Sequence, residues 1–347
     1  MNSHDDLKQR SQIPTIAPRA CHPEQHREPT APDRSPHSLN VAATAPAAKE
    51  ERLNNLDQTL VAPDSWQVYH PYRTSLEQVN ASTLGTAILE VQEWLKVWVL
   101  VGRTPFIHSQ TYRDQMPQCL QDAYTACATY YASTKDTKGI ALQIIEDFVG
   151  RLLDDMAIED VESLSPSCVL VLHLARVQAM LVYQTIRLFD GDIRQRALAE
   201  EQAPTLKNWN EAMLTCALRS SQFIQSINRN RNLGDFAAWQ AWILAESCRR
   251  TWVVSSVVQC TYYILKGGSA YCPGHIMFTA RTGLWAAETC FAWVEAQQDK
   301  DPLFYNDANG GDIMAQATIK DVDEFALWAL KVSTSPGTVE SWSSVHK

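Results

Sequence analysis

The sequence predicts an all-α protein, in which a single helical domain follows a disordered N-terminal leader. From Ser82 onward, apolar residues recur at spacings of three and four, as on one face of an α-helix. Runs of alternating apolar and polar residues, which would indicate half-buried strands, are nearly absent. Residues 1 to about 80 are instead rich in Pro, Ser, Ala and charge, which is typical of disorder. We therefore predict a leader over 1–81, a helical domain over 82–332 and a flexible tail over 333–347.

One segment of the leader is less polar than the rest. Between Val61 and Tyr72 it contains four large apolar or aromatic residues, Trp66, Val68, Tyr69 and Tyr72. These side chains provide enough apolar surface for an extended segment to dock on the domain or on a partner.

The predicted helices are separated by glycine and proline. The first begins at Ser82 and ends before Gly102 and Pro105. Further helices are predicted over about 138–156, 167–190, 192–202, 205–229, 235–266, 276–297 and 320–332. The separating residues are Gly139, Pro166, Gly191, Pro204, Gly234, Gly267, Gly268, Pro273 and Gly274.

The second helix is predicted from Ser109 or Thr111 to Tyr130, with a proline inside it. Pro117 has no amide proton and its ring clashes with the preceding turn. We therefore expect Pro117 to kink or restart this helix.

The segment from Trp239 to Trp252 places charges inside an otherwise apolar helix. On a helical wheel, Glu246 and Arg250 lie in the middle of an apolar face. That face is formed by Trp239, Trp242, Ile243, Val253, Val257 and Ile264. Glu246 and Arg250 are four residues apart with the acid first, so they can form a charge-assisted, bidentate hydrogen bond that makes burial tolerable. We predict that they form a structural ion pair; a pocket in which Arg249 or Arg250 binds an acidic small molecule is the alternative.

The tryptophans of the predicted helices are interpreted first as core residues. Trp94 and Trp98, and likewise Trp239 and Trp242, each place two indoles on one helix face and bury a large area there. An aromatic cage around a ligand is the alternative.

Composition predicts a soluble, intracellular globular protein. The 347 residues are 45% hydrophobic and carry a formal charge of −9, without a run of Lys or Arg that would bind nucleic acid over a broad surface. The N-terminus lacks a secretory signal, and no uninterrupted apolar stretch is long enough to cross a membrane. The nine cysteines are scattered, which favours reduced thiols over a disulfide framework.

No catalytic, cofactor or metal site is predicted, and we do not expect an enzyme. The sequence has no G-x-S-x-G elbow, no phosphate-binding glycine loop and no paired Glu-x-x-His motifs for a di-iron centre. Asp154 and Asp155 lack a third carboxylate at the fifth position of an aspartate-rich magnesium motif, where Ile158 stands. A solvated acidic helix end explains these aspartates better.

Several stretches resemble the regulatory (middle homology) domain of fungal zinc binuclear cluster transcription factors. They are Gly102–His108 with Tyr112 and Arg113, Gln121–Ala126, His173–Gln178 with Tyr183, Leu188–Asp192, and Trp242–Thr251. The resemblance covers about residues 84–332 and implies a helical, nuclear protein with a role in transcription. Such regulators are often encoded beside secondary-metabolite genes. Other transcription proteins are the implied partners, and a small-molecule effector is a further candidate.

The chain departs from this family at the DNA-binding module. Family members hold two zinc ions with six cysteine thiolates, whereas Cys21 is the only cysteine before Cys119 here. This argues against direct DNA binding by these residues. Either the protein works through partners without the module, or the gene sequence has lost its beginning. The prediction is thus a regulator of a metabolic or secondary-metabolite gene cluster, with a helical binding or scaffold protein as the alternative.

Overall fold

The structure, a computed structural model, describes residues 63–70, 81–155, 165–228, 234–270, 274–305, 310–334 and 336–345. These ranges all lie within one compact unit, Ala45–Lys347. The prediction of an all-α fold is confirmed: the described residues form ten α-helices, one 3₁₀ helix and two strands of two residues each. Most of the predicted leader lies outside the described residues.

The helices are numbered in chain order. They are α1 (Ala81–Val101), α2 (Gln118–Ala132), α3 (Lys138–Asp154), α4 (Pro166–Phe189), α5 (Ile193–Asn228), α6 (Asp235–Gly267), α7 (Cys290–Asp299), α8 (Gly310–Gln316), α9 (Glu324–Ser333) and α10 (Pro336–Val345). Strand β1 (Phe278–Thr279) pairs antiparallel with β2 (Phe304–Tyr305), with Phe278 opposite Tyr305.

Helices α4 and α6 form the centre of the domain. Ser165 caps α4 by accepting a hydrogen bond from the amide of Cys168, 3.3 Å away. Every residue of α4 from Val177 to Leu188 is buried, and so is every residue of α6 from Glu246 to Trp252. These segments are covered on all sides, whereas the wheel of α6 predicted one buried face.

Helix α4 is also long and apolar enough to cross a membrane, judged by length and composition alone. Its most apolar 18-residue window has a mean hydropathy of 1.4, and 78% of that window is buried inside the domain. The helix packs mainly against α5 and α2, which cover its apolar side chains. Core helices of globular proteins have the same properties, so this is weak evidence for a membrane span.

The predicted break at Pro204 is absent from the structure. Helix α5 continues through Pro204, where two helices over 192–202 and 205–229 were predicted. Buried Ala203 and Leu206 pack on either side of the proline, and this tertiary packing outweighs the lost amide hydrogen bond.

The predicted helix over 276–297 is wrong in its first half. Strand β1 occupies this region, and α7 begins only at Cys290, after Thr289 accepts a hydrogen bond from the amide of Ala292 at 3.2 Å. The amide of Thr279 binds the carboxylate of Glu246, 2.9 Å away, instead of a helical carbonyl. A long-range polar contact therefore determines the extended backbone here.

Two further boundaries differ from the predictions. Helix α2 begins directly after Pro117, later than the predicted start at Ser109 or Thr111. The residues from Ser109 to Met116 are not helical. The predicted flexible tail contains α10, in which Trp342 is buried and its indole N–H donates to the carbonyl of Ala317 at 3.1 Å. Burial of Trp342 stabilises α10 against the domain, whereas the composition of the tail predicted a flexible segment.

A segment of the predicted leader docks on the domain; we call residues Ser65–His70 the strap. Trp66 ends the 3₁₀ helix Pro63–Trp66 and is buried in the main core. Tyr69 and His275 exchange two backbone hydrogen bonds of 2.8 Å. The apolar surface that predicted docking is thus used within the chain.

Candidate functional site

The side chain of Arg250 is the centre of a buried polar network in the middle of α6. Its Nε donates to Glu246 Oε1 at 3.0 Å, and its Nη1 donates to the carbonyl of Pro105 at 3.2 Å. Its Nη2 donates to the carbonyl of Thr279 at 2.9 Å and to Asp323 Oδ2 at 2.6 Å. One guanidinium therefore joins α6 to the loop after α1, to β1 and to the residue before α9.

Two aromatic rings contact the same guanidinium. Its central carbon lies 4.3 Å from the ring centroid of Trp285 and 4.8 Å from that of Phe325. A cation over an aromatic ring is attracted by the negative ring face, and more strongly when water is excluded. The side chain of Arg250 is only 1% exposed, so these contacts replace its hydration shell.

Glu246 lies beside Arg250 and is completely buried. Its Oε1 accepts from Arg250 Nε and from the amide and hydroxyl of Thr279, at 2.9 and 2.7 Å. Its Oε2 lies 3.8 Å from Arg249 Nη1. The structure thus brings the two residues singled out from the sequence together in the interior, through one N–O contact rather than a bidentate pair.

Arg249 binds the strap. Its Nη2 donates to Ser65 Oγ at 2.9 Å, and its guanidinium lies 4.1 Å from the ring centroid of Trp66. Burial lowers the pKa of Arg249 to about 10, so the side chain stays cationic at neutral pH. The guanidiniums of Arg249 and Arg250 are buried beside the carboxylates of Glu246 and Asp323, which balance their charges, so the site offers no uncompensated positive charge to an acidic small molecule.

A second set of hydrogen bonds links α4 to α6 beside this network. The hydroxyl of Tyr112 donates to Gln178 Oε1 at 2.7 Å. Gln178 Nε2 donates to the carbonyl of Phe106 at 3.1 Å and to Thr251 Oγ1 at 3.0 Å. All four residues are buried, so the amide of Gln178 is satisfied entirely by protein groups.

The loop from Gly102 to His108 is folded around Thr104. The Thr104 hydroxyl accepts from the amides of Phe106 and Ile107, at 3.1 and 2.7 Å, and its carbonyl accepts from the indole of Trp285 at 3.0 Å. Burial, followed by the charge of Arg250, lowers the pKa of His108 to about 4. His108 is therefore neutral at physiological pH.

Stretches that are far apart in the sequence meet in this one region. Gly102–His108, Tyr112, Gln178 and the segment Glu246–Thr251 all contribute to what we call the central polar network, which also includes Thr279 and Asp323. Most of the stretches that carry the family resemblance are therefore neighbours in space.

The remaining stretches lie in other helix contacts. The hydroxyl of Tyr124 donates to the carbonyl of Val99 at 2.8 Å. Asp190 accepts from the Tyr130 hydroxyl and pairs with Lys138 Nζ, both at 2.6 Å. These contacts connect α2 to α1, and they connect both α2 and α3 to the end of α4.

Three members of the network or its neighbours were not predicted from the sequence: Ser65, Thr279 and Asp323. Asp323 carried a local signal, because it caps α9 by accepting from the amide of Ala326 at 2.8 Å. Ser65 and Thr279 join the network through contacts between elements that are far apart in the chain, and a single sequence has no local pattern that predicts such contacts.

The network holds carboxylates and guanidiniums, but they are mutually paired and buried. Within the described ranges, no group of three or more His, Cys, Asp or Glu residues is arranged to hold a metal ion. The arrangement can neutralise charge, orient a loop and fix helix positions. It does not present an accessible acid, base or nucleophile to a substrate.

Comparison with known proteins relates the chain to a fungal regulator. It is 29% identical over 329 residues to the transcription factor gsfR2 of Penicillium aethiopicum, and the alignment covers 90% of this chain and 76% of gsfR2. No protein-family profile matches the chain. No solved structure matches it either. The similarity supports a relationship to fungal transcription factors and a role in transcription regulation, and neither it nor the site geometry gives a positive sign of an enzyme.

Proposed function

We propose that this protein regulates the transcription of a set of fungal metabolic or secondary-metabolite genes from the nucleus. The observation that carries the proposal is the similarity to gsfR2, which extends over 90% of the chain. In this proposal the helical domain acts through contacts with other transcription proteins or with a small-molecule effector.

The buried network supports a binding role over a chemical one. Glu246 and Asp323 balance Arg249 and Arg250, so the interior charges cancel where they are buried. We propose that Glu246 and Arg250 act as a structural ion pair, which holds the strap, the loop after α1, β1 and α9 in fixed positions. Such a domain presents constant surfaces to its partners.

A tethering experiment tests the regulatory role without requiring knowledge of the target genes. The full chain is fused to a bacterial DNA-binding domain and expressed in a fungal host with a reporter under the matching operator. We expect reporter expression to rise or fall relative to the DNA-binding domain alone, because the tethered chain brings its partners to the promoter.

Two matched variants test whether the effect on the reporter requires the buried ion pair. Glu246→Ala removes a buried charge, whereas Glu93→Ala removes a charge from an exposed pair with Lys96 on α1. We expect the first fusion to lose the effect and the second to keep it, at equal amounts of nuclear protein. Equal reporter levels for the full-chain fusion and the DNA-binding domain alone would contradict the proposal.

A helical scaffold without a role in transcription is the second candidate. The specific observation in its favour is the outward face of α1, where Leu89 is 64% exposed and Leu100 is 81% exposed. Exposed apolar side chains on one helix face are typical of a surface that binds another protein. Exclusion of the tagged full chain from the nucleus would favour this candidate over the first.

A further inference from the structure

A second, smaller apolar cluster lies between α6 and α7, apart from the main core. Its buried members are Ala238, Trp239, Trp242, Ile243, Leu284, Ala287 and Trp293. The rings of Trp242 and Trp293 lie 5.8 Å apart between centroids, and Phe236 contacts Trp239 at 5.9 Å. Because Phe236 is 54% exposed, the cluster extends from the interior to the surface.

The three buried indole N–H groups of this cluster have no acceptor within the described part of the chain. Trp239, Trp242 and Trp293 are each at most 2% exposed, and none of their Nε1 atoms has a hydrogen-bond partner among the described residues. Four other indoles do have one: Trp94 donates to Glu324, Trp285 to Thr104, Trp328 to Ala87 and Trp342 to Ala317. Outside the cluster, the buried indole of Trp66 also lacks a partner among the described residues, but it stands alone. Each unmatched buried donor costs about 1–3 kcal/mol, so three in one cluster need an explanation.

One unmatched acceptor accompanies these donors. Gln297 follows Trp293 by one helical turn on α7, is 5% exposed, and its Oε1 has no partner in the described part of the chain. The cluster therefore holds three unmatched donors, and one unmatched acceptor lies one helical turn beyond Trp293. Its buried members are all uncharged, which disfavours an ionic ligand.

We propose that this cluster binds a neutral, planar, oxygen-bearing small molecule. Carbonyl or ether oxygens of the ligand would accept from the indole N–H groups, and its rings would pack against the indoles as aromatic pairs do. The proposal rests on the proposed function, since it assigns a site and a chemical class to the effector. The cluster borders the central polar network through Trp285, whose ring lies 6.3 Å from that of Trp242 and 4.3 Å from the guanidinium of Arg250.

Nuclear magnetic resonance of the indole N–H groups tests the proposal directly. The full chain, labelled with ¹⁵N at its 11 tryptophans, is titrated with flavone, a neutral planar molecule with one carbonyl and one ether oxygen. We expect the resonances of Trp239, Trp242 and Trp293 to move downfield and to saturate, because new hydrogen bonds deshield these protons. The resonances of Trp328 and Trp342, which already donate to carbonyls, should stay in place.

Two controls separate recognition of oxygen from apolar binding. 2-Phenylnaphthalene has the shape of flavone without its oxygens, and we expect it to cause no downfield shift. Trp293→Phe keeps an aromatic ring but removes one donor, so flavone should bind about fivefold more weakly, whereas Trp342→Phe on α10 should leave its affinity unchanged.

Three results would overturn the site: no shift up to the solubility limit of flavone, equal shifts for both compounds, or shifts confined to other tryptophans. Because binding is measured on the purified chain, these results leave the reporter experiment unaffected. Conversely, flavone binding to a chain that has no effect on the reporter would count against the role in transcription and not against the site.

Discussion

Arg250 and Asp323 form an ion pair of 2.6 Å between Nη2 and Oδ2, which joins the middle of α6 to the residue before α9. The same carboxylate caps α9, because its Oδ1 accepts from the amide of Ala326 at 2.8 Å. Burial raises the pKa of Asp323, and the charge of Arg250 opposes that shift. One side chain therefore begins a helix and neutralises a buried cation.

Removal of Glu246 tests the buried pair. Glu246→Ala should lower the free energy of unfolding by about 3 kcal/mol, because it leaves Arg250 with one carboxylate fewer in a dry interior. Urea denaturation of variant and parent measures this loss. The control is Glu93→Ala in the exposed pair with Lys96, which should cost less than about 1 kcal/mol. Equal midpoints for the two variants would show that the interior pair contributes no more than a surface pair.

The two roles of Asp323 can be separated by substitution. Serine can still cap α9 but cannot neutralise Arg250, whereas alanine can do neither. We expect Asp323→Ser to destabilise the domain and Asp323→Ala to cost about 1 kcal/mol more, as measured by urea denaturation. If the two variants were equally stable, the cap would contribute nothing to the stability of the domain.

The helical fold was predictable because its signals are local. Spacings of three and four identify helices, and residues four apart on one helix, such as Glu246 and Arg250, are neighbours by geometry. Arg250 contacts Thr279 and Asp323 across 29 and 73 residues, and no local pattern specifies such pairs. The wrong prediction at Pro204 has the same cause. Proline ordinarily breaks a helix, but tertiary packing on both sides of Pro204 maintains α5, and that packing is not visible in the local sequence.

The predicted tail and leader show what composition leaves out. Trp66 and Trp342 lie in segments assigned to the leader and the tail, yet both are buried in the main core. A single large aromatic residue buries enough surface to hold a short polar segment in place. The average composition of the segment remains polar, so it does not reveal that residue. Docking of the strap was predictable from its individual apolar residues but not from the composition of the leader as a whole.

Attachment of the strap can be tested at Gly274. This residue has φ +89°, and a Cβ there would lie 2.5 Å from Val68 Cγ1 and 2.9 Å from the carbonyl oxygen of Tyr69. Gly274→Ala should therefore displace the strap. The amides of Tyr69 and His275, which bond to each other's carbonyls, should exchange hydrogen at least about fivefold faster, since such strain costs of order 1–3 kcal/mol.

A glycine in open space provides the control for this variant. Gly139 lies in the first turn of α3, and a Cβ there would meet no atom within 4 Å. Gly139→Ala should leave exchange in the strap unchanged, since alanine favours the helix. Unchanged protection of Tyr69 and His275 in Gly274→Ala would mean that the strap tolerates the added methyl group, contrary to the close contacts.

Burial of His108 predicts how stability depends on pH. Its folded-state pKa is about 4, against 6.5 for an unperturbed histidine, because burial and the nearby charge of Arg250 disfavour the imidazolium. The unfolded chain therefore binds a proton between these values that the folded chain does not. The stability contributed by neutral His108 is complete above pH 6.5 and is lost as the pH falls toward 4. Between pH 7 and 5 the loss is about 2 kcal/mol.

Comparison with His108→Gln isolates this contribution from other titrating groups. Glutamine keeps an acceptor for the amide of Gln110, which donates to His108 Nδ1 at 3.1 Å, but it does not titrate. Urea denaturation at pH 7, 6 and 5 should show parent stability falling faster than that of the variant, by about 2 kcal/mol over the range. Parallel pH profiles would mean that His108 has the same pKa in both states, and a parent that gains stability relative to the variant on acidification would mean that the imidazolium is accommodated beside Arg250.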